Sequence, residues 1–483
     1  MKETVLKIDE IEKNIGLNID PMGFLFNYNG RIFRAINNTE KNNVLYLFES
    51  GAIDELSKKN LIPHTTISDL KLEGYDLVLE HEKINVVIYP TEWSFNMLKD
   101  AALLVLQVNL ILSKYNFETR DSHGYNILFH HSTPKFVDIG SFGRKSTKKY
   151  WSGKDNFREF YFYSLYMWSK GNSILAKPLL INDGKYLNTK DYEFFIYRYS
   201  FARILSSKYL ERFFYYLRLL RNLQKFNVDE ILIIKKEKLK RNFLKILMVL
   251  SKASLIPNNH TNFNSLKRKI KRIYPPSVVT EWGEYHSDIA EQSLFAKDSR
   301  FGLIVDQVKR LNVNTVFEIA GNQGLLSQEL GKSGITVICS DIDERAVDLM
   351  YFRAKKSNAK LYPVLLDFLS PVYQSLYYSE SISVIKRYKS EAVLALALTH
   401  HLILTRKVPI EIIFEALSKY TEKYLFVEFM PLGLRRGKVP EWYNLKWFRA
   451  HFEKYFNLIT EISTEKDRSR ILLIGEKSNK HNK

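Results

Sequence analysis

Between residues 277 and 478, short apolar runs alternate with stretches of helical spacing. No other feature constrains the fold of this chain as tightly. Strand candidates are Thr315–Ile319, Thr336–Ser340, Lys360–Leu366, Glu391–Leu398 and Lys423–Phe429, with helical segments between them. Repeated strand–helix alternation makes a parallel sheet with helices on both faces. Two last candidates, Leu458–Ile462 and Arg470–Gly475, are joined by a charged turn and predict a closing antiparallel hairpin. The expectation for residues 273–483 is therefore a doubly wound α/β domain.

The strand ends carry chemistry. The stretch Thr315-Val-Phe-Glu-Ile-Ala-Gly-Asn-Gln-Gly-Leu-Leu-Ser327 is a β-run ending in an acid, a turn of small residues, then a helix start. Small residues let the backbone approach a ligand, and a helix N-terminus offers unpaired N–H groups. The next strand ends in Asp341, 20 residues after Gly321. An acid at that distance can accept both hydroxyls of a ribose. The third strand ends in Asp367-Phe368, an acid and an aromatic at the same edge.

This ordered set resembles the class I S-adenosylmethionine-dependent methyltransferases, whose domain is Rossmann-like. The resemblance implies S-adenosyl-L-methionine as cofactor, held by Glu318, Ala320, Gly321, Gly324, Asp341, Asp367 and Phe368. The glycines usual at the positions of Ala320 and Asn322 are absent. Gly-x-Gly-x-x-Gly is missing, which argues against a nicotinamide cofactor, and no Walker motif is present.

The fourth strand leads to Thr399-His400-His401, and the fifth ends in Val427-Glu428. A histidine of near-neutral pKa can take a proton from a hydroxyl as a methyl group arrives. His400, His401 and Glu428 are thus the candidate catalytic residues, with the cluster Glu281–His286 as a candidate lid. No metal is expected, because a sulfonium donor is already activated. The Asn/Asp-Pro-Pro-Tyr signature of amine methylation is absent, which favours a hydroxyl-bearing acceptor, a surface glycan or a small molecule.

Residues 1–189 read as α+β. Asn29-Gly30 between two apolar alternations predicts a hairpin. Strand-like pieces follow at Asp76–Glu80 and Asn85–Tyr89, then a long helical pattern over Phe95–Tyr115. Arg120-Asp121 lies five residues before Asn126, and Asp138-Ile-Gly140 comes twelve residues after Asn126. This resembles the catalytic loop and metal-binding triplet of protein-kinase-like phosphotransferases. The resemblance implies Asp121 as base, Asn126 and Asp138 as magnesium ligands, and Mg-ATP as ligand. No glycine-rich phosphate loop or Val-Ala-Ile-Lys strand accompanies it, and Arg34 is a loose stand-in for the lysine.

Residues 190–272 read as a basic helical region, and the resemblance allows them to complete the kinase-like lobe. Helical spacing is clearest over Glu211–Leu223 and Lys235–Leu250. The formal charge of the chain is +19, and residues 201–275 hold 18 Lys or Arg against 4 Asp or Glu, a net of +14. Such a block is either a solvated face or a surface for an anionic partner, a membrane or RNA. Two further functions follow: an RNA methyltransferase, and an inactive scaffold or phosphotransferase acting through the kinase-like region. The longest apolar run, Ala101–Leu112, is interrupted by Gln107 and Asn109 and is too short to span a bilayer. One cysteine, Cys339, excludes an intrachain disulfide. The opening residues lack the apolar core of a signal peptide. A cytoplasmic location, or a peripheral one at the inner membrane surface, is the expectation.

Overall fold

The structure, a computed structural model, describes residues 5–13, 22–146, 151–171, 173–181, 192, 262–276, 280, 294–296, 298–370, 383–434, 439–465 and 469–478. Most of the basic region and the Glu281–His286 cluster lie outside them.

The N-terminal region opens with a five-stranded antiparallel sheet. Its strands are β1 (Glu12–Lys13), β2 (Gly23–Tyr28), β3 (Arg31–Ile36), β4 (Thr65–Ile67) and β5 (Leu77–His81), in the order β1-β2-β3-β5-β4. Asn29 (φ 49°) and Gly30 (φ 75°) make the left-handed turn expected of the β2–β3 hairpin. The strand anticipated at Asn85–Tyr89 is not one. Its backbone is taken by side chains instead: Arg387 donates to the Val87 carbonyl, and the Tyr89 N–H donates to Glu92. The helix α1 (Phe95–Leu112) is long and apolar enough to cross a membrane, but 67% of its most apolar window is buried in the fold. It is the core helix of this region. The helix α2 (Phe263–Lys271) packs along it, and Lys99 donates to the Ile273 carbonyl at 2.6 Å.

The C-terminal region follows the predicted alternation. In chain order it contains α3 (Arg300–Arg310), β6 (Thr315–Ile319), α4 (Leu325–Lys332), β7 (Thr336–Asp341), α5 (Glu344–Ser357), β8 (Leu361–Leu365), α6 (Val384–Tyr388), β9 (Ser390–Ala395), α7 (Ile410–Tyr420), β10 (Thr421–Phe429), α8 (Leu445–Phe452), β11 (Phe456–Ser463) and β12 (Ile471–Lys477). One seven-stranded sheet runs β8-β7-β6-β9-β10-β12-β11. The first five are parallel, and β12 is antiparallel to both β10 and β11. The parallel strands are near-continuous apolar runs because both faces are covered. One face packs on Phe301, Ile304, Leu326 and Leu330, and the other on Phe414 and Leu417. Strand order reverses between β6 and β9, the place where doubly wound sheets open a crevice.

The second face shares its core with the N-terminal region. Phe129 meets Tyr351 edge-on at 6.0 Å between ring centroids. Arg387 donates to both oxygens of buried Glu92 at 2.6 and 2.7 Å, and Tyr388 donates to the same carboxylate. Asp348 accepts from the Asn96 backbone N–H and side-chain amide at 3.0 and 2.7 Å, and the first of these satisfies an orphan donor at the start of α1.

Candidate functional site

The carboxyl ends of β6, β7, β8 and β9 open on one cavity of about 380 Å³, within the range of small-molecule sites. After β6 the chain turns through Ala320 to Gly324 into α4. Ala320 (φ 56°), Asn322 (φ 53°) and Gly324 (φ 68°) are all left-handed. The turn therefore keeps the glycine conformation at both positions where the glycines are missing. Asn tolerates that region, whereas Ala stores about 1–2 kcal/mol of strain there. Gly321 is required for another reason. A Cβ on it would lie 2.3 Å from the Cys339 Sγ, so the turn lies flat on β7.

Asp341 fastens this turn. Its carboxylate accepts the Asn322 N–H at 2.9 Å and the Asp343 N–H at 2.9 Å. Burial pushes its pKa up, against the pull of those N–H donors. Each oxygen has a second lone pair, and the residue lines the cavity. Asp367 accepts from the Leu369 N–H at 3.1 Å and from Arg406 at 3.2 Å. Phe368 and Ile342 line the same end. Ile342 is 60% exposed despite being apolar, which suits a flat aromatic ring lying on it. Ile342 was not singled out from the sequence, though an apolar residue just after a strand-end acid is a readable signal.

Glu318 lines the other end. Its carboxylate accepts from the Ser327 hydroxyl, and burial pushes its pKa up to about 7. His400 and His401 both line this cavity, with ring centroids 4.1 Å apart. They sit on a helical turn after β9 that runs into a π-helix over His401–Thr405. The Nδ1 atom of His400 is buried without a hydrogen-bond partner. Burial, His401 and Arg470 together push the His400 pKa down to about 3, so the imidazole is neutral at pH 7.

Glu428 reaches the same sheet edge but lies beneath the cavity, fully buried. It accepts from Arg300 twice, at 2.7 and 2.6 Å, and from the Ala397 N–H at 2.9 Å. Burial alone would raise its pKa, but the Arg300 guanidinium holds it below the usual value. It is placed as the counter-ion of an arginine. Arg300, Arg406 and Arg470 all line the cavity, and no motif singled them out.

In the N-terminal region, Asn126 donates to the Asp121 carbonyl at 3.4 Å and accepts the Val137 N–H at 2.9 Å, so the two motif segments meet. The Asp121 carboxylate is held by His123 at 3.0 Å and by Asn156 at 2.9 Å. Arg34, on β3, reaches Asp138 at 3.0 Å. Among the described residues no cluster of three or more His, Cys, Asp or Glu is arranged to hold a metal.

No protein-family model matches the chain. A curated relative, nodulation protein NoeA of Rhizobium meliloti (strain 1021), is 23% identical over 433 residues, covering 85% of this chain and 83% of its own length. Solved structures with similarity include magnesium protoporphyrin IX methyltransferase from Synechocystis PCC 6803 with bound cofactor (TM-score 0.29, 16% identity, 44% of this chain and 90% of the other). A methyltransferase from Clostridium acetobutylicum ATCC 824 gives a TM-score of 0.31 at 9% identity, over 40% and 94%. The N-methyltransferase NodS from Bradyrhizobium japonicum WM9 gives 0.28 at 12% identity, over 38% and 99%.

Proposed function

We propose that the chain is an S-adenosylmethionine-dependent methyltransferase acting on a hydroxyl, of a glycan or a small molecule. One observation carries this reading: a single cavity at the switch point of a parallel sheet, lined by acids from three successive strand ends. The residues fit the cofactor. Asp341 would take the ribose hydroxyls, Ile342 and Phe368 the adenine faces, and Asp367 the adenine side. The left-handed turn from Ala320 to Gly324 would let the rest of the molecule lie close to the backbone. Bound there, the cofactor supplies an activated methyl group.

The chain's own contribution is orientation and proton acceptance. His400 is neutral and lines the cavity. It can accept a hydrogen bond from an acceptor hydroxyl, with that hydroxyl's oxygen facing the methyl position. A base of such low pKa does not remove the proton beforehand. It suffices once the oxygen has begun to carry positive charge, because the hydroxyl proton then becomes strongly acidic. Calorimetry with S-adenosylhomocysteine tests the reading. Wild type is expected to bind, and Asp341→Ala to bind at least tenfold more weakly; equal affinity sinks the ribose assignment.

A second reading concerns the N-terminal region. The Arg34–Asp138 pair joins β3 to the second motif segment, so the stand-in for the lysine and the candidate metal-binding acid lie together. Mg-ATP binding to wild type, and its loss in Asp138→Asn, is the expected result under that reading. A membrane or RNA partner for residues 201–275 is a separate proposal. A salt-independent RNA affinity would exclude phosphate contacts.

A further inference from the structure

The loop that carries Asp341 runs into α5, and one face of α5 is polar at helical spacing: Glu344, Asp348, Tyr351 and Lys355. Intervals of four, three and four residues put them on one side of a helix. Each is bound by the N-terminal region. Lys355 and the Tyr351 hydroxyl both donate to Asp100, at 2.5 and 2.7 Å. Asp348 takes its two donors from Asn96. Glu344 is held at both oxygens: Trp168 Nε1 donates to one at 2.9 Å, and Lys177 Nζ to the other at 2.5 Å.

Glu344 is the end of this stripe nearest the cavity. It is the first residue of α5 and stands three positions after Asp341. Between them lie Ile342, which lines the cavity, and Asp343, which caps the helix. Asp343 accepts the Arg345 and Ala346 N–H groups at 2.8 and 3.1 Å and donates its own N–H to Asp341 at 2.9 Å. Holding Glu344 therefore holds the helix end on which the cap, and then Asp341, are built. An acid in the first turn of a helix is common because the helix dipole favours it, and water alone can satisfy it. Glu344 differs in its donors. The Trp168 indole is fully buried and meets Phe95 edge-on at 5.7 Å between ring centroids, so its N–H points in a fixed direction.

We propose that Glu344, gripped by Trp168 and Lys177, is a positioning residue. Through it the N-terminal region sets the geometry of the Asp341–Asp343 loop, and with it the hold on the cofactor ribose. The ribose half rests on the methyltransferase reading, and the loop half does not. The ribose end of the cavity is then completed by Trp168, 176 positions earlier in the chain.

The test compares the full chain as wild type, Glu344→Ala, Trp168→Phe and Asp100→Asn. Trp168→Phe keeps a ring in place and removes the N–H. Asp100→Asn disturbs the far end of the same stripe and so reports the effect of loosening α5 in general. Hydrogen-exchange mass spectrometry without ligand reads the loop. Exchange over residues 340–346 is expected to quicken in Glu344→Ala and Trp168→Phe and to stay as in wild type in Asp100→Asn. Calorimetry compares S-adenosylhomocysteine with its 2′-deoxy analogue, which lacks a hydroxyl for Asp341 to hold. Glu344→Ala and Trp168→Phe are expected to bind the parent compound roughly three- to tenfold more weakly, and to lose less for the analogue. Unchanged loop exchange in both variants, or the same change in Asp100→Asn, overturns the proposal. Equal loss for the two compounds, or none, overturns its ribose half. If wild type binds neither compound, the methyltransferase reading fails, and the exchange measurement still decides the role of Glu344.

Discussion

Replacing Glu428 by Gln separates two roles that the sequence could not tell apart. A general base loses its chemistry in the amide but leaves the fold intact. A counter-ion loses its charge, and the partner is left stranded. Here the carboxylate is fully buried and holds Arg300 by two hydrogen bonds, with Ala397 as a third donor. Removing one partner of a buried pair typically costs about 3–5 kcal/mol. The amide keeps one oxygen for one arginine donor, so the expected loss is at the low end, about 3 kcal/mol. For a cooperative unit of some 200 residues that lowers Tm by roughly 6–12 °C. Circular dichroism melts of wild type and Glu428→Gln at pH 7 measure it.

The pH dependence has a definite sign. The folded pKa of Glu428 lies below its unfolded value. Its stabilisation is therefore fully present above the unfolded pKa of about 4.3 and is lost as pH falls through the folded pKa. The gap in Tm between wild type and variant should be constant from pH 8 to pH 6 and close in acid. An unchanged Tm at pH 7 with methyl transfer abolished would refute the counter-ion reasoning and restore Glu428 as a base.

Ala320→Gly should stabilise the protein by up to about 1 kcal/mol, since relief of left-handed strain exceeds the entropy cost of glycine; a urea titration measures the midpoint. Gly321→Ala should weaken S-adenosylhomocysteine binding at least tenfold in calorimetry, because the new Cβ would meet the Cys339 Sγ at 2.3 Å and lift the turn. Glu92→Gln should cost about 3 kcal/mol by stranding Arg387 between the two regions, read in the same melts.

Much of the site was legible because it rests on local order. Glu318, Asp341 and Asp367 stand at strand ends, and strand ends can be read from where apolar runs stop. Parallel connections then force those ends onto one edge. The loop between them was harder. Ala320 and Asn322 look like departures in sequence, yet their backbone adopts the glycine conformation. Residue identity reports the cost of a conformation, and neighbouring contacts can meet that cost. The Asp341–Asn322 hydrogen bond is one such contact. Asn85–Tyr89 shows the converse. Its alternation reads as a strand, but Arg387 and Glu92 take its backbone groups.

By itself the sequence determined the strand–helix alternation of residues 277–478, the parallel sheet that it makes and the acids along its edge. These depend on interactions between residues close in the chain, or on connection rules that distance does not weaken. Only the tertiary structure decided which charges meet. Glu428 finds Arg300 across 128 positions, and Glu92 finds Arg387 across 295. A buried ion pair is selected by the shape of the space between packed elements, and no local pattern in either partner encodes it.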